Sequence, residues 1–219
     1  MKKLVLVLMA MLLMVSACCA EVTKVFVSIT NGTGELVMAY EEIAVTDVDQ
    51  DGEVTICDAL ACAHVQKYEG GADGYLAEKT EYGLSMVRLW GEENGGSFGY
   101  YLNHASAWSL LDPVQAGDHV KAYAFTNLDT FADTYSYFDV DSVEATAAQE
   151  VALTLSAAAF DASWNAITLP VAGAVLTVNG EKTEVMTDEN GKAALAFDAA
   201  GTYVVSAVSD TQVLVPVRW

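Results

Sequence analysis

The sequence predicts two β-rich units: an α+β unit with one helix on a mixed sheet, followed by a small all-β sandwich. Three observations support this prediction. Two apolar segments of alternating pattern flank a turn signal at residues 31–34. A stripe of apolar residues with helical spacing begins at Ile56, directly after an acidic loop. After Pro170, short apolar runs alternate with turn signals such as Asn179-Gly180, which is typical of a β-sandwich.

The first unit, residues 21–144, is predicted to contain two strands, then a helix, then further strands. Alternation predicts its strands, and apolar residues at positions 56, 59, 60 and 63 predict the helix. The predicted strands are 21–29, 36–43, 84–90, 98–102, 119–125 and 135–140. One helix packed on a mixed sheet after an opening hairpin indicates a β-grasp-like arrangement.

Residues 145–169 are alanine-rich and show no clear period, so we expect one or two strands and the connection between the units there. The second unit, residues 170–219, has a regular pattern of strands and turns. Its predicted strands are 174–178, 183–186, 193–197, 201–208 and 212–217.

The charge balance excludes two classes of function. The 219 residues include 30 Asp and Glu but 10 Lys and Arg, a formal net charge of −20. A nucleic-acid-binding protein needs a basic face, and no cluster of Lys and Arg follows position 3. We therefore expect no nucleic-acid partner and no electrostatic docking to anionic lipid.

The N-terminus predicts export. Residues 1–20 combine a basic start, an apolar run at 4–15 and small residues suited to cleavage, which is the pattern of a signal peptide. The segment 15–18 also resembles a bacterial lipobox, which would make Cys18 a lipidated first residue of the mature protein. Ordinary cleavage after Ala20 is the alternative. Either route predicts an extracellular or cell-surface location, with membrane attachment through a lipid anchor alone.

An acidic loop at residues 47–58, DVDQDGEVTICD, predicts a Ca²⁺ site. Acidic side chains stand at loop positions 1, 3, 5 and 12 and glycine at 6, the spacing of an EF-hand-like calcium loop. The alternative is an Asp- and Gly-rich turn without an ion. The predicted ligands are Asp47, Asp49, Asp51, the backbone carbonyl of Glu53, and Asp58.

The loop and the helix after it, DVDQDGEVTICDALACAHVQKY, resemble half of a dockerin. Dockerins carry two such repeats, so we do not expect cohesin docking from one. The wider unit resembles the β-grasp domain at the C-terminus of transcobalamin, on the helix residues 58–60 and on segments 98–103 and 116–120. That resemblance implies a corrinoid or another large flat ligand, without assigning any binding residue.

The second unit resembles immunoglobulin-like or transthyretin-like modules of bacterial surface proteins. The segments that support this are Pro170–Val175, the turn 187–191 and Gly201-Thr202-Tyr203. Such modules usually act as spacers or adhesion elements, and we expect the same here.

Motifs for catalysis are missing from the sequence. There is no nucleophile elbow, phosphate-binding loop or dinucleotide fingerprint, and His64, His104 and His119 form no zinc pattern. We expect these histidines in the core or on the surface, and Cys57 and Cys62 as small buried residues. The chain is therefore predicted not to be an enzyme, with a hydrolase that lacks a recognisable motif as the alternative.

The first functional hypothesis is an exported, calcium-stabilised binding or adhesion module for an extracellular glycan, protein or small molecule. The second is a lipoprotein that captures a corrinoid or other flat ligand in a pocket between the two units. Aromatic residues around Tyr100, Tyr101 and Trp108 are either core or a ligand face.

Overall fold

The computed structural model of the protein describes residues 22–215, so the predicted signal peptide and Cys18 lie outside the described residues. The first half holds strands β1 (Thr23–Thr30), β2 (Leu36–Val45), β3 (Leu76–Thr80), β4 (Gly83–Arg88), β5 (Phe98–Leu102), β6 (Ala105–Ser106) and β7 (His119–Ala124). Helix α1 (Ile56–Lys67) lies between β2 and β3.

The second half consists of strands. They are β8 (Thr134–Phe138), β9 (Glu150–Phe160), β10 (Ala166–Pro170), β11 (Val175–Val178), β12 (Glu181–Met186), β13 (Lys192–Ala196), β14 (Val205–Val208) and β15 (Leu214–Val215). None of the helices within residues 22–215 has the length and apolar character needed to cross a membrane.

The predicted fold class, an α+β β-grasp-like unit with an EF-hand-like loop followed by a sandwich, is wrong. Within residues 22–215 about 45% is strand and about 10% helical, and several sheets are present, which fits an all-β fold better. The prediction gave too much weight to the acidic loop and its helix. It also missed β3, the hairpin partner of the predicted strand 84–90, and gave no positions for β9 and β10, whose alanine-rich segments lack a clear alternation.

The first sheet has the strand order β2-β1-β7-β5-β6, and both of its faces are covered. β1 and β7 are parallel neighbours, and the other pairs are antiparallel. Side chains alternate between the two faces of a strand. Val25, Val27 and Ile29 are fully buried in the core that includes α1, so Phe26 and Ser28 point to the opposite face.

Helix α1 starts and packs as its sequence predicts. A capping box marks its start: Thr55 Oγ1 accepts the N–H of Asp58, and the Asp58 carboxylate accepts the N–H of Thr55. Ile56 and Leu60 are fully buried, and each such side chain contributes about 1.5–3 kcal/mol. His64 is a core histidine, because it is fully buried and its Nε2 accepts the N–H of Trp90 at 3.0 Å.

The two cysteines of α1 are free thiols. Cys57 and Cys62 are partly buried and pack against the core of the first sheet. Tyr75 donates a weak hydrogen bond to Cys57 Sγ at 3.6 Å, and burial raises the pKa of the Cys57 thiol.

A sandwich forms the second half of the molecule. One layer is the sheet β10-β9-β8-β15 with β13 paired to β9, and the other is β12-β11-β14. Leu155, Leu176 and Ala207 are fully buried in the shared core. β8, which lies in the predicted first unit, pairs with β9 and β15 in this sandwich, and β9 and β10 occupy the predicted connection.

Tyrosines join the sandwich to the second face of the first sheet. The rings of Tyr101 on β5 and Tyr135 on β8 stack at 3.5 Å. Tyr123, Tyr135 and Val215 form a small buried cluster at this junction. The first sheet therefore lies between the helix on one side and the sandwich on the other.

A close backbone approach in the sandwich predicts an unequal response of two glycines to alanine. Gly191 has φ +75°, and an added Cβ would lie 2.3 Å from the Leu155 carbonyl oxygen. Gly173 has φ +70° but open space around it, so it is a matched control. In urea unfolding, Gly191→Ala is expected to lose about 3 kcal/mol and Gly173→Ala about 1 kcal/mol. Equal losses would contradict the described turn.

Candidate functional site

The acidic loop joins the end of β2 to the start of α1. Asp47, Asp49 and Asp58 each offer one carboxylate oxygen, and these oxygens lie within 4.8 Å of one another. A strand rather than a helix precedes the loop, which distinguishes it from a helix–loop–helix calcium site.

Asp58, the predicted closing ligand, also holds the loop and the helix together. It is 4% exposed. Its Oδ1 accepts the N–H of Val48 at 2.8 Å, and its Oδ2 accepts the N–H of Thr55 at 2.9 Å and the Thr55 hydroxyl at 2.7 Å. A carboxylate has about four acceptor positions. About one remains for a cation, so Asp58 can act as a monodentate ligand.

The other predicted ligands do not all converge. The Asp51 carboxylate lies outside the group of three and accepts the N–H of Glu53 at 2.9 Å. Glu53 is exposed. Gly52 has φ +100°, a left-handed conformation that glycine adopts without strain.

The pKa shifts of half-buried Asp47 and exposed Asp49 have opposite directions. Backbone N–H donors, that of Gly52 foremost, lower the pKa of Asp47. Partial loss of hydration and the carboxylates of Asp51 and Asp58 raise the pKa of Asp49. Concentrated negative charge of this kind favours a bound cation.

The loop that carries Trp108 is attached to the end of the acidic loop. The N–H of Cys57 donates to the Leu110 carbonyl at 2.8 Å, and the N–H of Val114 donates to the Val54 carbonyl at 2.9 Å. Asp112 accepts the N–H of Trp108 at 2.8 Å, while the indole remains 96% exposed. This Trp108 loop therefore presents an aromatic ring to solvent from a fixed backbone.

A larger feature lies on the other side of the first sheet. A cavity of about 770 Å³ opens between that sheet and the sandwich. One wall is polar and is formed by the second face of β1 and β7 with Asp141. The opposite wall is largely apolar and includes Val140, Leu153, Leu195, Phe197 and Tyr203.

The polar wall contains a chain of three hydrogen-bonded side chains. Ser28 Oγ lies 2.8 Å from His119 Nε2, and His119 Nδ1 lies 3.0 Å from Asp141 Oδ1. Ser28 is 6% exposed and His119 5% exposed. The three residues come from β1, β7 and the segment after β8, so the tertiary fold assembles the chain.

Protonation states follow from these contacts. An ionised carboxylate only accepts hydrogen bonds, so His119 Nδ1 carries the proton that it donates to Asp141. The Nε2 atom of a neutral imidazole is then an acceptor, and the Ser28 hydroxyl donates to it. Burial lowers the pKa of His119 despite its carboxylate partner, which keeps the ring neutral at pH 7.

A buried cation shares the same carboxylate. Lys121 Nζ lies 3.2 Å from Asp141 Oδ1 and 3.1 Å from His104 Nδ1, and the Lys121 side chain is 4% exposed. Burial lowers the pKa of Lys121, an effect that Asp141 opposes. Burial alone would raise the pKa of Asp141, but its hydrogen bond with His119 and the adjacent charges hold that pKa well below its ordinary value.

A β-bulge positions the serine. Val27 pairs with Glu41 and Ile29 with Met38, so two residues of β2, Ala39 and Tyr40, lie opposite Ser28. Tyr40 has φ +49°, and its N–H donates to Ser28 Oγ at 2.9 Å. This left-handed conformation of a bulky residue is strained.

Sequence reasoning did not find this polar wall. His119 and Lys121 alternate with the core residues Val120 and Ala122, a pattern that places both polar side chains on one face of a predicted strand. This alternation could have indicated a polar strand face from the sequence alone. Nothing local to the sequence indicates that Asp141 returns to the same face.

Comparison with family models, with curated proteins and with solved structures gives no match. The resemblances to dockerins and to transcobalamin therefore gain no support, and the functional argument depends on the geometry.

Because Lys121 is buried, its removal and that of Asp141 should have unequal effects on stability. Asp141→Asn leaves the ammonium unpaired and is expected to cost about 3 kcal/mol. Lys121→Met should cost less, since the Asp141 side chain is 29% exposed and keeps His119 as a partner. The double variant should be more stable than Asp141→Asn alone in urea unfolding. A double variant as unstable as the sum of both losses would contradict the pairing.

Proposed function

We propose that this chain is an exported binding protein, stabilised by Ca²⁺, that takes up a small, neutral organic molecule between the first sheet and the sandwich. The observation that supports this most directly is the cavity of about 770 Å³ with its one polar and one apolar wall. Binding sites for small molecules have volumes of about 300–1,000 Å³, with mostly apolar lining and a few fixed polar groups.

The charges of the cavity disfavour an anionic ligand. Lys121 and Asp141 neutralise each other on the polar wall, the pKa of His119 is lowered chiefly through burial, and the lining also includes the carboxylate of Glu144. The protein as a whole carries a formal charge of −20, which disfavours an anionic ligand. Ser28 and His119, which line the cavity, supply hydrogen-bonding groups for orientation.

Calcium has a stabilising role in this proposal. Asp47, Asp49 and Asp58 repel one another without a cation, and a bound ion would connect the end of β2 to the start of α1. The extracellular location predicted from residues 1–20 supplies calcium at concentrations that suit modules with dissociation constants on the order of 10⁻⁴–10⁻³ M.

The adhesion form of the hypothesis has its own supporting observation, the Trp108 indole, which is 96% exposed on the loop attached to the acidic loop. A flat exposed indole suits stacking on a sugar ring of a surface glycan. The corrinoid alternative depends on the transcobalamin resemblance, and the fold class that carried it is wrong.

Nile red, a neutral flat dye whose fluorescence increases on leaving water, tests the cavity. Val143→Glu places a charge in the cavity lining and should weaken dye binding about tenfold or more, equivalent to about 1.4 kcal/mol. Val65→Glu is a matched control, because Val143 is 55% exposed and Val65 61% exposed, and Val65 lies on the outer side of α1.

Equal dye affinity in both variants would exclude the cavity as the binding site. Trp108→Ala should leave the dye affinity unchanged. If that variant instead loses binding to insoluble cell-wall polysaccharide that the wild-type protein retains, the adhesion form is favoured.

Calcium should raise the melting temperature through the acidic loop. At about ten times its dissociation constant, calcium adds about 1.4 kcal/mol to the stability. Asp47→Asn with Asp49→Asn should abolish this increase, and both side chains can change without loss of the Asp58 helix cap. Asp161→Asn is the control, because Asp161 caps an exposed turn of the sandwich through the N–H groups of Ser163 and Asn165. A calcium response that survives in the double variant would refute the site.

A further inference from the structure

We infer that Ser28, His119 and Asp141 form a nucleophile–base–carboxylate triad that hydrolyses neutral carboxylic esters in the cavity. The inference rests on the proposed function in one respect, since the substrate must enter the same cavity. It departs from the expectation that the chain is not an enzyme.

The geometry meets two requirements of such a triad. The nucleophile lies within hydrogen-bond distance of the base at 2.8 Å, and the base lies within the same reach of an orienting carboxylate at 3.0 Å. Triads are defined by geometry and roles rather than by sequence order, so the chain order Ser28, His119, Asp141 is no obstacle. Ser28, His119 and Asp141 all line the cavity.

The protonation pattern is the one that the reaction needs. Asp141 accepts the hydrogen bond that Nδ1–H donates, and the unprotonated Nε2 is able to take the proton of the Ser28 hydroxyl. The N–H of Tyr40 uses an acceptor position of Ser28 Oγ, and the hydroxyl proton remains directed at His119.

The chemical step balances with water as the second reactant. Ser28 Oγ forms a bond to the ester carbonyl carbon while its proton moves to His119 Nε2, and the carbonyl electron pair moves to oxygen. The intermediate then expels the alcohol, which takes the proton from His119. Water, deprotonated by the same nitrogen, cleaves the acyl–serine ester and releases the carboxylic acid and the free hydroxyl.

One cation beside the serine can stabilise the developing oxyanion. Lys121 is the direct neighbour of Ser28 across the parallel β1–β7 pair, and its side chain shares the cavity. Fixed donors in a water-poor site are among the largest contributions to such catalysis.

Diisopropyl fluorophosphate, a small neutral reagent, tests the nucleophile directly. Ser28 Oγ should form a bond to phosphorus and release fluoride, which mass spectrometry detects as one adduct that peptide mapping locates at Ser28. Ser28→Ala should lose the adduct, whereas Ser163→Ala, a change at an exposed turn serine of the sandwich, should retain it. Hydrolysis of p-nitrophenyl butyrate should follow the same pattern.

Loss of the base should slow the labelling of Ser28 by about 10²–10⁴-fold in His119→Gln and Asp141→Asn. Folding is checked by circular dichroism. The double variant Asp141→Asn with Lys121→Met avoids an unpaired buried charge, and its labelling rate is compared with that of Lys121→Met alone, which isolates the effect of the carboxylate. His119 faces Asp141, Lys121, His104 and Tyr40. Because burial lowers its pKa, the labelling rate should be at its maximum at pH 7 and fall below pH 6.5.

An unmodified Ser28 in folded protein, under conditions that fully label a known serine esterase, overturns the inference. So does labelling at Ser28 that is equally fast in folded His119→Gln. If Nile red binding depends on Val143 but Ser28 stays unmodified, the hydrolase inference is refuted and the proposed binding function is retained. If Nile red binding does not depend on Val143 and Ser28 also stays unmodified, both the proposed binding function and the hydrolase inference are refuted.

Discussion

The burial of both faces of the first sheet is the constraint on which the rest of the structure depends. Val27 and Ile29 fill the helix side with apolar groups, as a core requires. The opposite face carries Ser28, His119 and Lys121, and the sandwich covers them without filling the space. Buried polar groups are costly unless they are hydrogen-bonded. The segment after β8 must therefore bring Asp141 back to this face, and the cavity forms beside it.

A polar network of this kind is a poor way to gain stability alone. Replacing a buried ion pair by apolar residues of similar volume is often neutral or stabilising. The tyrosine contacts at the same junction, such as the stacked rings of Tyr101 and Tyr135, already join the two halves of the molecule. The need to pair a buried charge explains why Lys121 contacts Asp141. It does not require His119 to lie between that carboxylate and the Ser28 hydroxyl.

The sequence predicted local structure well and tertiary structure poorly, for a physical reason. Strand 98–102 and the helix that starts at Ile56 were predicted because periodicity is a local signal. The Asn179-Gly180 turn closes a two-residue hairpin in which both residues have positive φ, as the dipeptide indicates. The fold class depended on which sheet β8 joins, and that is decided by long-range pairing with β9 and β15.

The acidic loop and the Ser28–His119–Asp141 chain also differ in how far local sequence predicts them. Twelve consecutive residues encode the acidic loop, so its residue spacing could be read, although the structure turns Asp51 away to the Glu53 N–H and engages Asp58 as a helix cap. The Ser28–His119–Asp141 chain joins positions 91 and 22 residues apart. No spacing rule covers such distances, because the parallel pairing of β1 with β7 creates the contact. When a site is assembled across strands, the only local signal in the sequence is the alternation of polar and apolar residues. That alternation indicates which face of a strand is polar, but it does not indicate what packs on that face.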